Sequence, residues 1–325
     1  MNRMFTDFAD GGPKIGLALG SGLARGWAHI GVIRALVRHG FKPDIIAGTS
    51  IGALVGGAYS VDRLDALEDW ARSLTRMKVA SYLDIKFNQG GIISGRRFMK
   101  LMHENFGSVD IEDLPLKYVA AAADMVTGHE VWLRSGDLIK AMSASFALPG
   151  VFPPVRQGNK FLVDGALVNP VPVSACQALG ANMIIAVNLN GDIVGKARKS
   201  GQHVPTVAGF DPLVGDADNS KTNKLAKRIF KRQDETPSLF GVMFSSLNII
   251  QDRLARSRLA GEPPDVYIAP RIGHIGLLEF EKVDEIIRAG EEAVEAVIPQ
   301  LRDAWQVLCV DNYTESGPNK PEGAI

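Results

Sequence analysis

Asp44 to Tyr59 reads as strand, sharp turn, helix, with Gly48-Thr49-Ser50-Ile51-Gly52 at the turn. Asp44-Ile45-Ile46-Ala47 is short and apolar like a buried strand. Ala53-Leu54-Val55-Gly56-Gly57-Ala58-Tyr59 continues as a tightly packed helix. Gly-x-Ser-x-Gly in that setting is the nucleophile elbow, a turn that strains the serine backbone and pushes its hydroxyl out above the sheet. Gly48 and Gly52 are required because side chains there would collide with the neighbouring strand and helix. The motif also arises by chance, and a Gly-rich packing turn with a satisfied serine competes with it, so the surrounding chain must decide.

That surrounding chain alternates. Lys14 to Gly20 predicts a first strand, followed by a Gly-rich turn and a helix from about Arg25 to His39, stopped by Gly40. Asp44 to Thr49 is the second strand. Helices are expected over Asp65–Leu74, Gly95–Asn105, Asp137–Phe146 and Val173–Leu179. Strands are expected over Leu116–Ala123, Glu130–Leu133, Lys160–Val163 and Met183–Leu189, the second pairing with the first. Later come a helix near Leu239–Leu259, a strand Val266–Ala269 and a long helix from Val283 to about Trp305. This order predicts an α/β fold, a mostly parallel sheet covered by helices on both faces. Residues 14–190 form the expected core and 191–238 a basic excursion of changed composition. Residues 239–310 form a helix-strand-helix extension on the same core, and 311–325 a frayed tail.

Composition excludes several classes. Of 325 residues, 36 are basic and 36 acidic, a zero balance that argues against general nucleic-acid binding. Cys176 and Cys309 give neither a disulfide framework nor a metal pattern, and a reducing compartment is expected. No metal or cofactor is implied. The N-terminal residues hold no apolar run like a signal peptide, and the longest uncharged stretch, Ile45 to Val61, is too short and Gly-rich to span a membrane. The expectation is a cytoplasmic protein, with peripheral contact at the inner membrane face left open.

The first turn, Gly20-Ser21-Gly22-Leu23-Ala24-Arg25-Gly26, follows a strand and opens a helix. Such a turn aims backbone N–H groups at one point, which suits an anion. A dinucleotide site would need glycine where Arg25 stands and an acid ending the second strand; a P-loop would need Gly-Lys-Ser/Thr. The remaining functional use is an oxyanion hole; a plain packing turn is the alternative. For a base, His29, His39, His103, His129, His203 and His274 are available, and only His274 lies in a suitable late loop. Asp164, in Phe161-Leu162-Val163-Asp164-Gly165-Ala166, is the better candidate. It ends an apolar strand, and open α/β sheets gather their sites at the strands' carboxyl ends.

Taken together, LALGSGLARGWAHIGVIRAL, IIAGTSIGALVGGAY, ALPGVFPPV and FLVDGALVNPVPV resemble the patatin-like phospholipase family, and within it the bacterial branch related to neuropathy target esterase. The resemblance runs from about Lys14 to Leu189 and resumes from Leu247 to the last helix. It implies a patatin-like three-layer architecture and a Ser-Asp dyad without histidine: Ser50 as nucleophile, Asp164 as base. Gly20, Gly22, Leu23 and Ala24 fall in the matching oxyanion loop, and Gly48, Gly52, Gly165 and Ala166 support the two motifs. The family's usual run of glycines is interrupted here by Ser21 and Leu23.

The implied substrate is a lipid or other acyl ester, cleaved as by a phospholipase A, lysophospholipase or carboxylesterase. A catalytically idle lipid-binding or regulatory module, and a nucleotide-binding α/β protein, are the alternatives. Phe240, Met243, Phe244, Leu247, Ile250 and Leu254 recur on one side of a helix and suit either an acyl channel or plain core. Leu225 and Ile229 stand four apart among Lys224, Lys227, Arg228, Lys231 and Arg232. That pattern suits docking on an anionic lipid surface, with a solvated loop as the alternative. Oligomeric state is not legible.

Overall fold

The computed structural model describes residues 12–74, 102–104, 106–191 and 239–315. An eight-stranded sheet forms its centre. Its strands are β1 (Ile15–Leu19), β2 (Ile45–Thr49), β3 (Lys117–Asp124), β4 (Glu130–Leu133), β5 (Val155–Gln157), β6 (Lys160–Asp164), β7 (Met183–Val187) and β8 (Val266–Ile268). The order is β5-β6-β3-β2-β1-β7-β8, with β4 also paired to β3. Strands β3, β2, β1, β7 and β8 run parallel, while β4 and β6 run antiparallel to β3, and β5 to β6.

The helices are α1 (Ala28–Arg38), α2 (Ile51–Ser60), α3 (Leu64–Ser73), α4 (Leu138–Ser145), α5 (Val173–Ala178), α6 (Leu239–Gly261), α7 (Val283–Glu295) and α8 (Ile298–Glu315). Strands β1, β2 and β7 are buried along their whole length, as near-continuous apolar runs must be when both faces are covered. Alternate side chains serve two cores. Leu17, Leu19, Ile46, Ile185 and Val187 join the core that holds α1, α2, α4 and α7. Ala18, Ile45, Ala47, Ile184 and Ala186 join the other, with Val173, Ala175 and Cys176 of α5. Helix α6 belongs to both: Met243 and Leu247 pack on the first core, Ala255 and Leu259 on the second. It therefore bridges the two layers.

Three local expectations change. The first helix begins at Ala28, preceded by a 3-10 turn over Leu23–Trp27, wound tightly by the bond from Arg25 N–H to the Gly22 carbonyl. The long helix expected from Val283 breaks at Ala296-Val297. Pro299 explains this, because it lacks an N–H and its ring crowds the carbonyl four residues back, so it is tolerated only in a helix's first turn. Strand β5 was not expected; Val-Arg-Gln is too short and polar to read as one. The helix expected over Gly95–Asn105 lies mostly outside the described residues, as do the basic stretch within 192–238 and the tail beyond 315.

Candidate active site

The pairings of β3 bring the site together. Strand β2 ends opposite Ala121, and β6 ends with Asp164 opposite Ala122. Strand β4 occupies the other edge of β3 over Ala120–Ala123. Strands β2 and β6 therefore share one edge and meet tip to tip, with Ser50 just past one tip and Asp164 on the other. Asp164 ends β6 as expected, and β6 runs antiparallel to β3. Strand β6 enters from beyond the carboxyl end of β3 and reaches the site because it is only 5 residues long.

Ser50 has φ 58° and ψ −122°, a left-handed conformation that costs a non-glycine residue about 1–3 kcal/mol and persists only where its surroundings hold it. Those surroundings are visible. A Cβ on Gly48 would lie 2.4 Å from Ala53 Cα, and one on Gly52 would lie 2.1 Å from the Leu19 carbonyl oxygen. The Ser50 N–H donates to Ser145 Oγ at 2.9 Å, and that hydroxyl donates to the Ala121 carbonyl at 2.6 Å. Thr49 Oγ1 donates to the Asn169 carbonyl at 2.8 Å, tying the tip of β2 to the loop after Asp164.

Ser50 Oγ donates to Asp164 Oδ2 at 2.6 Å. Asp164 Oδ1 accepts from the Ala166 N–H at 2.8 Å, capping the 3-10 turn Gly165–Leu167. Both side chains are buried, Ser50 to 2% and Asp164 to 1% exposure. Burial pushes the Asp164 carboxyl from the usual value near 3.8 up to about 7, against the pull of the Ser50 and Ala166 bonds. A carboxylate tuned this way can accept a proton from its neighbour near neutral pH.

The first turn lies beside this pair. Its donors are not equivalent. The Gly20 N–H donates to the Val187 carbonyl at 3.0 Å and the Ala24 N–H to the Leu277 carbonyl at 3.1 Å. Those two of the four expected donors are spent on holding the loop. The N–H groups of Gly22 and Leu23 carry no such bond among the described residues, and both residues line the cavity that holds Ser50 and Asp164. Leu23 has φ 50°, the left-handed region where glycine would be cheaper.

His29 is buried, and its Nε2 lies 2.7 Å from the Gly20 carbonyl. Burial lowers its pKa to about 4, so the neutral ring donates from Nε2 to that carbonyl and braces the loop. His274 is exposed and pairs with Glu285. No described histidine hydrogen-bonds Ser50 or Asp164. Ser145 was not singled out in the sequence, because a serine within Ala141-Met142-Ser143-Ala144-Ser145 carries no spacing signal. Its importance comes from where α4 meets β3.

Helix α6 covers the site. Leu247, Asn248 and Gln251 join Ser21, Leu148 and Leu277 around a cavity of about 20 Å³. The expected one-sided stripe on this helix is not one-sided, since Ile250 is 53% exposed while Leu247 faces the cavity. Among the described residues no helix is long and apolar enough to cross a membrane.

Residues 17–176 match the family described as patatin-like phospholipase. The chain is 34% identical over 338 residues to an NTE family protein of Mycobacterium bovis, covering 91% of this chain and 93% of that one. It is 30% identical over 288 residues to lysophospholipase NTE1 of Debaryomyces hansenii, covering 85% of this chain and 17% of that much longer protein. It is 34% identical over 185 residues to the neuropathy target esterase sws of Drosophila melanogaster, covering 55% and 13%. The chain belongs to the patatin-like phospholipase family, in its branch of NTE family proteins.

Proposed function

We propose that this protein is a serine hydrolase of lipid acyl esters, working through Ser50 and Asp164 with an acyl-enzyme intermediate. The observation that carries this reading is the 2.6 Å bond from Ser50 Oγ, on a strained left-handed turn, to the buried Asp164 carboxylate. Family membership and the lysophospholipase and esterase names of its relatives support a lipid ester as substrate.

Ser50 Oγ attacks the ester carbonyl carbon while Asp164 Oδ2 takes its proton. The carbonyl oxygen becomes an oxyanion and accepts from the Gly22 and Leu23 N–H groups. As the tetrahedral species collapses, Asp164 returns the proton to the departing alcohol, leaving an acyl ester on Ser50. Water then attacks that ester, again giving its proton to Asp164, and Ser50 leaves with the proton restored. The base needs no histidine because burial has already moved the carboxyl toward working pH.

Incubation with a fluorophosphonate probe tests the assignment. The adduct should map by mass spectrometry to the peptide holding Ser50 and vanish in Ser50→Ala. Labelling elsewhere with Ser50 untouched would sink it, and no labelling at all would favour the idle lipid-binding module.

A further inference from the structure

Ser50 is almost fully buried, and the cavity around it, about 20 Å³, has room for a water but not for an ester chain. Helix α6 closes that cavity, and its two halves are held differently. The carboxyl half is pinned. Ala255 is fully buried in the second core with Leu259 against it, and Arg258 donates to Glu130 Oε2 on β4 at 3.0 Å and to the Val168 carbonyl at 3.3 Å. In the amino half Met243 and Leu247 are only partly buried on the first core, and Gln251 accepts from Ser21 Oγ at a long 3.3 Å. The outer face of this half is apolar. Val242, Ile249 and Ile250 are half-exposed, and their helical spacing puts them on one side. Arg253 and Arg256 continue that side. Asp252, the acid within the helix, is buried and paired with Arg256, so Arg253 gives the outer face its positive charge.

We propose that the outer face of the amino half of α6 docks on a lipid surface, and that docking lifts this half off the Ser50 cavity. This role rests on the hydrolase reading above, in which an ester must reach a serine that the helix covers. An apolar stripe followed by cations on one side of a helix suits the plane of a bilayer interface, apolar side down. Three half-exposed side chains fall well short of the roughly 800 Å² per partner that a stable protein interface buries, so a second copy is the poorer occupant. A bilayer also receives what the movement uncovers. In water, lifting would expose Met243 and Leu247; at a lipid surface acyl chains take the place of the first core around them. Lipid therefore makes contacts with the lifted state that it does not make with the closed one, and a population shifts only by such a difference. The turn between Gln251 and Ala255, where the lightly held half meets the pinned one, is the hinge.

Vesicles of non-hydrolysable diether phosphatidylcholine and phosphatidylglycerol test both parts. Wild-type protein should sediment with them. Its Ser50 should react with a fluorophosphonate probe faster in their presence by about tenfold or more, the shift that about 1.4 kcal/mol of differential affinity gives. Val242→Gln, Ile249→Gln and Ile250→Gln, made together, put a good helix former at exposed positions that do not line the cavity. This variant should melt like wild type and react with the probe at the wild-type rate without vesicles. It should lose about tenfold in vesicle affinity and most of the acceleration. The loss should persist at high salt, which separates it from attraction by cationic side chains. No sedimentation of wild type, or equal vesicle affinity in the two proteins, overturns the docking face. Vesicle binding without faster labelling overturns the lifting. A wild-type dimer in sedimentation velocity that the variant loses makes the face a contact between copies and overturns it too. If Ser50 reacts under no condition, the hydrolase reading falls and the lifting with it, while the vesicle comparison still decides the docking face.

Discussion

Asp164 is 1% exposed and its carboxyl is pushed up to about 7, so its charge changes within the pH range of ordinary assays. In its proposed role as base it must be ionised, and kcat/KM should rise with pH to half its plateau near pH 7. Stability should move the other way. Between about pH 4 and pH 7 the folded chain still holds a proton that the unfolded chain has released, so stability falls as pH rises through that window. Above about pH 7 the full penalty of a buried charge remains. Asp164→Asn keeps the shape and an acceptor for Ser50 while removing the charge. It should lower esterase turnover by about 100-fold or more on the plateau above pH 7, with the gap narrowing as pH falls and the wild-type carboxylate is protonated. It should melt above wild type at pH 8, with the gap closing toward pH 4. A mutant that melts lower at pH 8 would mean that the ionised carboxylate stabilises the fold. The pairing of Ser50 with Asp164 was legible in the sequence because each sits in a short local motif. Ser145 and His29 were not, since their roles arise from one strand end and one carbonyl that the chain brings near them only on folding.

Helices α1 and α7 cross at glycines. A Cβ on Gly290 would lie 2.1 Å from the Ala28 carbonyl oxygen, and one on Gly31 would lie 2.0 Å from the Ile287 carbonyl oxygen. Backbone meets backbone there, and no rotamer change relieves an added methyl. The same region holds the first turn: Ala24 N–H bonds Leu277, Arg25 Nε bonds Ile275, and Trp27 stacks edge-on with Phe280 at 6.2 Å between centroids. Gly290→Ala should therefore cost about 1–3 kcal/mol in a urea titration, as overpacking does. It should also reduce turnover, although the residue lies outside the site. A neutral effect on both would mean that α7 can shift freely on α1. The sequence showed a helix here from its apolar period, but the period says nothing of which glycine meets which carbonyl. It also ran through Pro299, because the apolar pattern continues past the break. The direction of β6 was not legible for a related reason: an apolar run shows that a strand exists, not which way it enters the sheet.

The molecule as a whole carries 36 basic and 36 acidic side chains, so any pull toward an anionic lipid surface must come from local clustering. Lys224, Lys227, Arg228, Lys231 and Arg232 precede α6 in the chain, outside the described residues. Each cation near an anionic membrane contributes about 1 kcal/mol, and salt screens it. Neutralising all of them should weaken sedimentation with anionic vesicles and leave hydrolysis of a short soluble ester nearly unaltered. Equal vesicle binding would make the stretch an ordinary loop, and a matching collapse of soluble-ester hydrolysis would tie it to the chemistry instead. The α/β architecture was legible along most of the chain, because apolar runs alternate with helical periods. The place of α6 was not, since its stripe fits either core and only the fold reveals that it belongs to both.

With α6 across a cavity of about 20 Å³, a slim organophosphorus reagent and a bulky one meet different barriers even when they share a leaving group and a target oxygen. Their relative rates then measure clearance under the helix rather than the reactivity of the serine. An inhibitor series ranked on this protein would be sorted by girth before it is sorted by electrophilicity.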